Sequence, residues 1–290
     1  MMKRGIVLSI TCVLLAGAAP APQATEGVAW AASWEDAKAE AVERNVPIFF
    51  TVQQDENPGC KQMEGAFRDA SFITASRKVV CVVSNPDTKH GIRETMVNKE
   101  KVPFCRAYDG MRCEVHMRCQ QALSNFIKDG DFDIPMQIWC RPDGKELFKF
   151  SGPNGSGTQS PAALVKDLDR AMERVSGPKL TRREWEDLKR LLNEGDNAQG
   201  KMEWKLCLAI FKKVSDSKNE RFSKLGKDRY DNVVHQGVAI VKRAVAQYEK
   251  APPDSKEHKE VKPMLQKIAK EMKGTEAGDA AEKALKEVVK

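Results

Sequence analysis

The hydrophobic pattern divides the chain into two regimes. Between residues 33 and 175 short apolar runs alternate with stretches of helical spacing, and beyond Gly177-Pro178 the spacing is helical throughout. Val46-Pro47-Ile48-Phe49-Phe50-Thr51-Val52 is β-branched and aromatic, which predicts a buried strand. Lys78-Val79-Val80-Cys81-Val82-Val83 is almost wholly apolar, the pattern of a parallel strand covered on both faces. Between them, Met63, Phe67, Phe72 and Ile73 recur at helical spacing and predict a helix running to about Ala75. Ahead of them, Ser33 reads as an N-cap with Asp36 three positions on. Trp34, Ala37, Ala41 and Val42 then give one apolar face to a helix ending near Asn45-Val46-Pro47. Helix, strand, helix, strand is the right-handed crossover unit of an α/β sheet.

The next strand is predicted within Asp133-Ile134-Pro135-Met136-Gln137-Ile138-Trp139-Cys140. Arg141-Pro142-Asp143-Gly144-Lys145 forms a hairpin turn whose glycine supplies a positive φ, and Glu146-Leu147-Phe148-Lys149-Phe150 returns antiparallel. Gly152 to Gly157 reads as a flexible loop. Ser160-Pro161 opens a closing helix with Leu164, Leu168, Met172 and Val175 on its inner face.

Past the Gly177-Pro178 boundary five helices are expected. Their stripes are Trp185, Leu188 and Leu192; then Met202, Leu206, Ile210 and Val214; then Tyr230, Val234, Val238, Val241, Val245 and Tyr248. Val261, Leu265, Ile268 and Met272 make a fourth, with Pro263 inside it, and Ala281, Leu285 and Val288 a fifth. Such helix pairs resemble tetratricopeptide-like repeats, without that family's period of about 34 residues.

The amino terminus changes the compartment. Met1-Met2-Lys3-Arg4 is a positive segment, Ile6 to Ala16 an apolar core, and Ala16-Gly17-Ala18 a small-residue cleavage site, so residues 1–24 read as signal peptide and leader, cleaved after Ala18. The expectation is a periplasmic or secreted protein with no stable membrane anchor after cleavage. The formal net charge is +7, with both signs mixed along most of the chain. No basic run carries interleaved aromatics, which argues against a nucleic-acid partner.

The chain is organised around Thr51-Val52-Gln53-Gln54-Asp55-Glu56-Asn57-Pro58-Gly59-Cys60-Lys61-Gln62-Met63-Glu64, a turn that sets a cysteine at the mouth of a helix. Backbone N–H groups and the helix dipole at such a position favour a thiolate. Asp55 and Glu56 oppose this, since neighbouring carboxylates raise a thiol pKa. Cys60-Lys61-Gln62-Met63 resembles the second half of the active-site turn in the thioredoxin-like family, Trp-Cys-Gly-Pro-Cys-Lys-Gln-Met. In that alignment Asn57 stands at the first, nucleophilic cysteine, Glu56 replaces the tryptophan, and Pro58-Gly59 reverses the family's Gly-Pro.

Ile134-Pro135 falls where the family places its cis-proline loop, facing the active cysteine, with Ile134 in place of the usual threonine. The resemblance covers about residues 33–175. It implies a thioredoxin-like domain at 25–176, a central mixed sheet flanked by helices, followed by an all-α domain at 179–290. Residues 94–132 form an insertion, or an enlarged crossover helix. The resemblance also implies a part in thiol-disulfide chemistry, with Cys60 as candidate thiol, Pro135 positioning the partner disulfide, and protein thiols or disulfides as partners. A non-catalytic binding scaffold, with the helical domain as partner surface, is the alternative.

Eight cysteines less Cys12 leave Cys60, Cys81, Cys105, Cys113, Cys119, Cys140 and Cys207 in the mature chain. In an oxidising compartment disulfides are expected, and the odd number leaves at least one thiol outside an internal pair. Three readings of Cys60 stand together: a monothiol that forms mixed disulfides, a buried packing residue, and a structural bridge to the insertion. Cys105 and Cys113 flank an Asp109-Gly110 turn, so a disulfide closing that loop is readily built, contributing roughly 2–3 kcal/mol. Cys119 then becomes the partner for Cys60 or for an external thiol.

Cys113, His116 and Cys119 are spaced three apart, as metal ligands can be. On one helix three such side chains fan over roughly 120°, so two could share an ion and all three could not. In an oxidising compartment the Cys105–Cys113 disulfide is the leading reading of this cluster, ahead of free thiols and a bound metal, and no metal and no cofactor are expected. The resemblance implies that Cys81 and Cys140 belong to strands on either side of the first core strand, roughly 9–10 Å apart, too far for a disulfide. Cys207 reads as a buried small hydrophobe.

Overall fold

The computed structural model describes residues 27–87, 92–97, 100–108, 111–127, 133–151, 158–253 and 255–288. The leader through residue 26, His90, the Asp109-Gly110 turn and the loop Gly152 to Gly157 lie outside them. In chain order, α1 (Trp34–Arg44) leads into β1 (Ile48–Val52), α2 (Pro58–Phe67), α3 (Ala70–Ser76) and β2 (Val80–Ser84). Then come β3 (Ile92–Val97), β4 (Glu100–Cys105), α4 (Cys113–Cys119) with a 3-10 turn at Gln120–Asn125, β5 (Met136–Cys140) and β6 (Glu146–Ser151). Six helices close the chain: α5 (Pro161–Arg174), α6 (Arg182–Gly200), α7 (Trp204–Ser215), α8 (Glu220–Lys250), α9 (Lys256–Glu271) and α10 (Glu276–Val288).

Four strands form one mixed sheet in the order β2-β1-β5-β6, with β1 parallel to β2 and antiparallel to β5. Every residue of β1, β2 and β5 is buried, which is why their sequences are so continuously apolar. Ile48, Phe50 and Val52 face α1 and pack with Trp34, Ala37, Ala41, Val82 and Ile138. Phe49 points the other way, into Met63, Phe67 and Phe72 of α2 and α3, Trp139, and Leu164 and Leu168 of α5. Its ring lies 4.7 Å from that of Trp139 and 5.7 Å from that of Phe72. Fully burying such a side chain contributes about 1.5–3 kcal/mol.

Register also settles the two strand cysteines. Cys81 pairs with Phe49 and packs on the α2 side, whereas Cys140 pairs with Ile48 and packs on the α1 side. They lie on opposite faces as well as two strands apart, so no disulfide joins them. The hairpin turn before β6 has Gly144 at φ 86°, where a Cβ would sit 3.0 Å from the Trp34 ring. Both conformation and space therefore require glycine there.

Three expectations need correction. The helix after the Cys60 turn does not continue to Ala75: it breaks at Arg68-Asp69, where Asp69 accepts from Ser71 N at 2.9 Å and caps a new helix, α3. The insertion is not an enlarged helix but a separate β3–β4 antiparallel hairpin followed by the short α4, which packs against β2 at the sheet edge. Finally, α7 buries only Val214 of the expected stripe outright. It starts at Trp204, after Met202 turns the chain at φ 58°, and its inner residues are Trp204, Cys207, Leu208, Phe211 and Val214. Met202 and Leu206 are exposed.

The carboxyl-terminal region is helical from α6 onward, and no helix among the described residues is long and apolar enough to cross a membrane. Val233, Val241, Val261, Leu265, Ile268 and Ala281 share its core with the inner face of α7. The region is tied to the sheet through the end of α1. The buried Arg44 side chain donates to the carbonyls of Leu180, Val79 and Arg77 and bonds Glu40 at 2.6 Å. Glu43 accepts from Trp185 Nε1 at 2.7 Å, and its carbonyl accepts from Asn219 Nδ2.

Candidate functional site

The turn after β1 places Cys60 in the first turn of α2. Asn57 caps that helix: its Oδ1 accepts from Gly59 N at 2.9 Å and from Cys60 N at 3.2 Å, while its Nδ2 donates to Ile134 O at 3.0 Å. The Ile134–Pro135 peptide is cis, and the proline lies directly against Gly59. A Cβ on Gly59 would meet Pro135 Cδ at 2.8 Å and Thr158 Oγ1 at 2.9 Å, so only glycine allows this approach. Asn57, Pro135 and Gly59 thus close the mouth of α2 against the β5 loop.

Cys60 lies beneath this closure and is 2% exposed. Its sulfur accepts from Gln54 N at 3.2 Å. Burial pushes the thiol up to about 11, with the carboxylates of Glu64, Asp55 and Asp87 adding and the Gln54 N–H opposing. At pH 7 only about one molecule in ten thousand carries the thiolate. The first-turn N–H groups of Gly59 and Cys60 point at the Asn57 side chain, which explains why the helix mouth does not activate the sulfur.

A second group lies at the edge of the sheet. Cys105 ends β4, Cys113 begins α4, and His116 follows one turn later; one ligand atom from each lies within 4.8 Å of the other two. Cys105 and His116 are buried and Cys113 is half-buried. His116 Nδ1 lies 2.7 Å from the carbonyl oxygen of Asn85, which can only accept, so Nδ1 carries the proton and Nε2 the lone pair. Burial pushes the Cys105 thiol up to about 12, against hydrogen bonds from the backbone N–H groups of Tyr108 and Ala107.

Asn85 links the two groups. Its Nδ2 donates to Asp55 Oδ1 at 2.9 Å and contacts Tyr108 Oη at 3.0 Å, and the Tyr108 ring meets His116 edge-on at 5.4 Å between centroids. Asp55 N in turn donates to Asp87 Oδ2. Asn85 and Tyr108 were not singled out from the sequence. The one available signal was a polar residue ending an otherwise apolar strand.

Cys119 is set apart from both groups. It is buried with Trp34, Leu123 and Phe126 on the α1 side of the sheet, whereas α2 packs on the other side. The expectation that Cys119 pairs with Cys60 is therefore corrected: successive steps of three along α4 rotate it away, around the β2 edge. Burial pushes its thiol up to about 11. All seven cysteines of the described residues stand as thiols, Cys81, Cys140 and Cys207 among them deep in their cores. The sequence matches no protein-family model and no curated protein.

Proposed function

We propose that this chain is an exported thioredoxin-like protein that acts as a binding scaffold rather than as a dithiol catalyst. The thioredoxin-like reading is supported by the parallel β1–β2 pair beside the antiparallel β5–β6 pair, and by the Pro135 loop against the mouth of α2. The leader pattern of residues 1–24 supports export. One observation carries the scaffold reading. Asn57, at the position of the attacking cysteine, bonds both the α2 N–H groups and the Ile134 carbonyl, so the groove where a substrate disulfide would lie is closed over a 2%-exposed Cys60.

The partner surface in this reading lies on the helical region. A groove between α7, α8 and α9 is lined by Met202, Trp204, Ile240 and Met264, with Arg243 and Lys267 at its rim. Met202 and Met264 are exposed, and methionine surfaces adapt to varied apolar side chains. Arg243 adds cationic character, while Lys267 lies 4.0 Å from Glu271. A protein segment with apolar anchors and flanking carboxylates fits this chemistry.

The test is catalytic. With dithiothreitol as reductant, the purified protein and Cys60→Ser should reduce the insulin disulfides no faster than the reductant alone. Turnover that Cys60→Ser abolishes would return the protein to thiol-disulfide catalysis.

A further inference from the structure

We propose that Cys105, Cys113 and His116 bind one Zn2+ ion through two thiolates and one imidazole, with the fourth position open to solvent. The inference is independent of the scaffold reading. A tetrahedral zinc with Zn–S near 2.3 Å and Zn–N near 2.0–2.1 Å holds its ligand atoms roughly 3.5–3.8 Å apart. The two sulfurs and a ring nitrogen of His116 already lie within 4.8 Å of one another, so about an ångström of closure brings them to ligand spacing. Cys113, at the start of α4, is the least buried of the three ligands.

The surroundings are arranged as the outer shell of a metal site is. A ligating histidine usually donates its other ring N–H to a carbonyl or carboxylate, which fixes the tautomer and aims the lone pair. The Asn85 carbonyl does this for His116 Nδ1 at 2.7 Å, and Asn85 itself is held by Asp55 through its side chain. A disulfide between Cys105 and Cys113 would not call for the buried, tautomer-fixed imidazole beside it.

Charge selects the ion. Two thiolates and a divalent cation sum to zero, which suits a site walled by Val83, Tyr108 and Met111. A monovalent ion would leave a buried negative charge. Binding replaces two S–H protons: Zn2+ and two thiols give a zinc bis-thiolate and two H+.

The experiment uses the full chain, reduced and handled under argon, with Co2+ as a spectroscopic probe. The expected result is a sulfur-to-cobalt charge-transfer band and tetrahedral d–d bands that saturate at one equivalent. One equivalent of Zn2+ should bleach them, with release of two protons. Cys113→Ser and His116→Gln should weaken Co2+ binding by more than about tenfold, while Cys207→Ala, in the helical region, leaves it unchanged. Far-UV circular dichroism checks that each variant is folded. Protein isolated with Cys105 and Cys113 bridged is reduced before titration. A folded, reduced chain that shows no charge-transfer band overturns the proposal, as does a Cys113→Ser variant that binds Co2+ as tightly as the unaltered chain.

Discussion

Asn57 Nδ2 donates to the carbonyl oxygen of Ile134 at 3.0 Å, joining the first residue of the α2 cap to the loop that enters β5, 77 positions along the chain. The same side chain accepts from Gly59 and Cys60, so it acts as both helix cap and strut. Asn57→Ala is expected to lower stability by about 1–2 kcal/mol, from loss of the cap and an unmatched Ile134 carbonyl. Asn57→Asp keeps the cap but sets a carboxylate oxygen against the Ile134 carbonyl, so it should also lose stability. Urea unfolding of the three proteins measures both losses.

Gly59 tests the closure from the other side. Gly59→Ala puts a methyl 2.8 Å from Pro135 Cδ and 2.9 Å from Thr158 Oγ1, and a buried proline ring does not yield freely. A destabilisation of about 1–3 kcal/mol is expected, read from the same denaturant midpoints. A neutral or stabilising result would mean that the Pro135 loop stands off from α2 in solution.

Arg44 holds the sheet to the helical region. Its guanidinium meets three carbonyls and Glu40 with no exposure of its own. Arg44→Met leaves these acceptors unmatched and should destabilise by about 3–5 kcal/mol. Because Leu180 O is among the acceptors, the variant should also separate unfolding into two transitions by calorimetry, where the unaltered protein shows one.

The buried thiols give stability a pH dependence of definite sign. Burial raises Cys60 and Cys207 to about 11 and Cys81 to about 12, from 9.0. A group whose folded pKa is raised contributes stability that is complete below the unfolded pKa and is lost as pH climbs through the folded one. In metal-free, reduced protein the melting temperature should therefore fall between about pH 9 and pH 11, with a shallower fall in Cys207→Ala. A flat profile over that range would mean that these thiols ionise as readily folded as unfolded.

The sheet was legible because three of its strands, β1, β2 and β5, are buried on both faces and so are mostly apolar, with one polar residue each (Thr51, Ser84 and Gln137). The β3–β4 hairpin was not. Ile92 to Cys105 carries charge along both strands and Pro103 within β4, and its pairing is local rather than imposed by a core. On α7 two apolar stripes compete, Met202-Leu206-Ile210 and Trp204-Cys207-Phe211. Only packing against α6 and α8 chooses the second. At the site, Cys60, Asn57 and Pro135 could be placed from the sequence because they lie at the ends of readable strands and helices. The grouping of Cys105 with His116 could not, since it depends on the backbone carbonyl of Asn85, just past β2, holding the imidazole.

The account turns on whether Cys60 is closed off in the folded protein. The most direct measurement is peptide-resolved mass spectrometry of iodoacetamide labelling at pH 8, on reduced native protein and on the same protein in denaturant. A thiol held near 11 under the Asn57–Ile134 closure should label more than about a hundredfold slower in the native state, and Asn57→Ala should recover part of that rate. Rapid native labelling of Cys60, at the pace of an exposed thiol, would contradict the closed site and the scaffold reading with it.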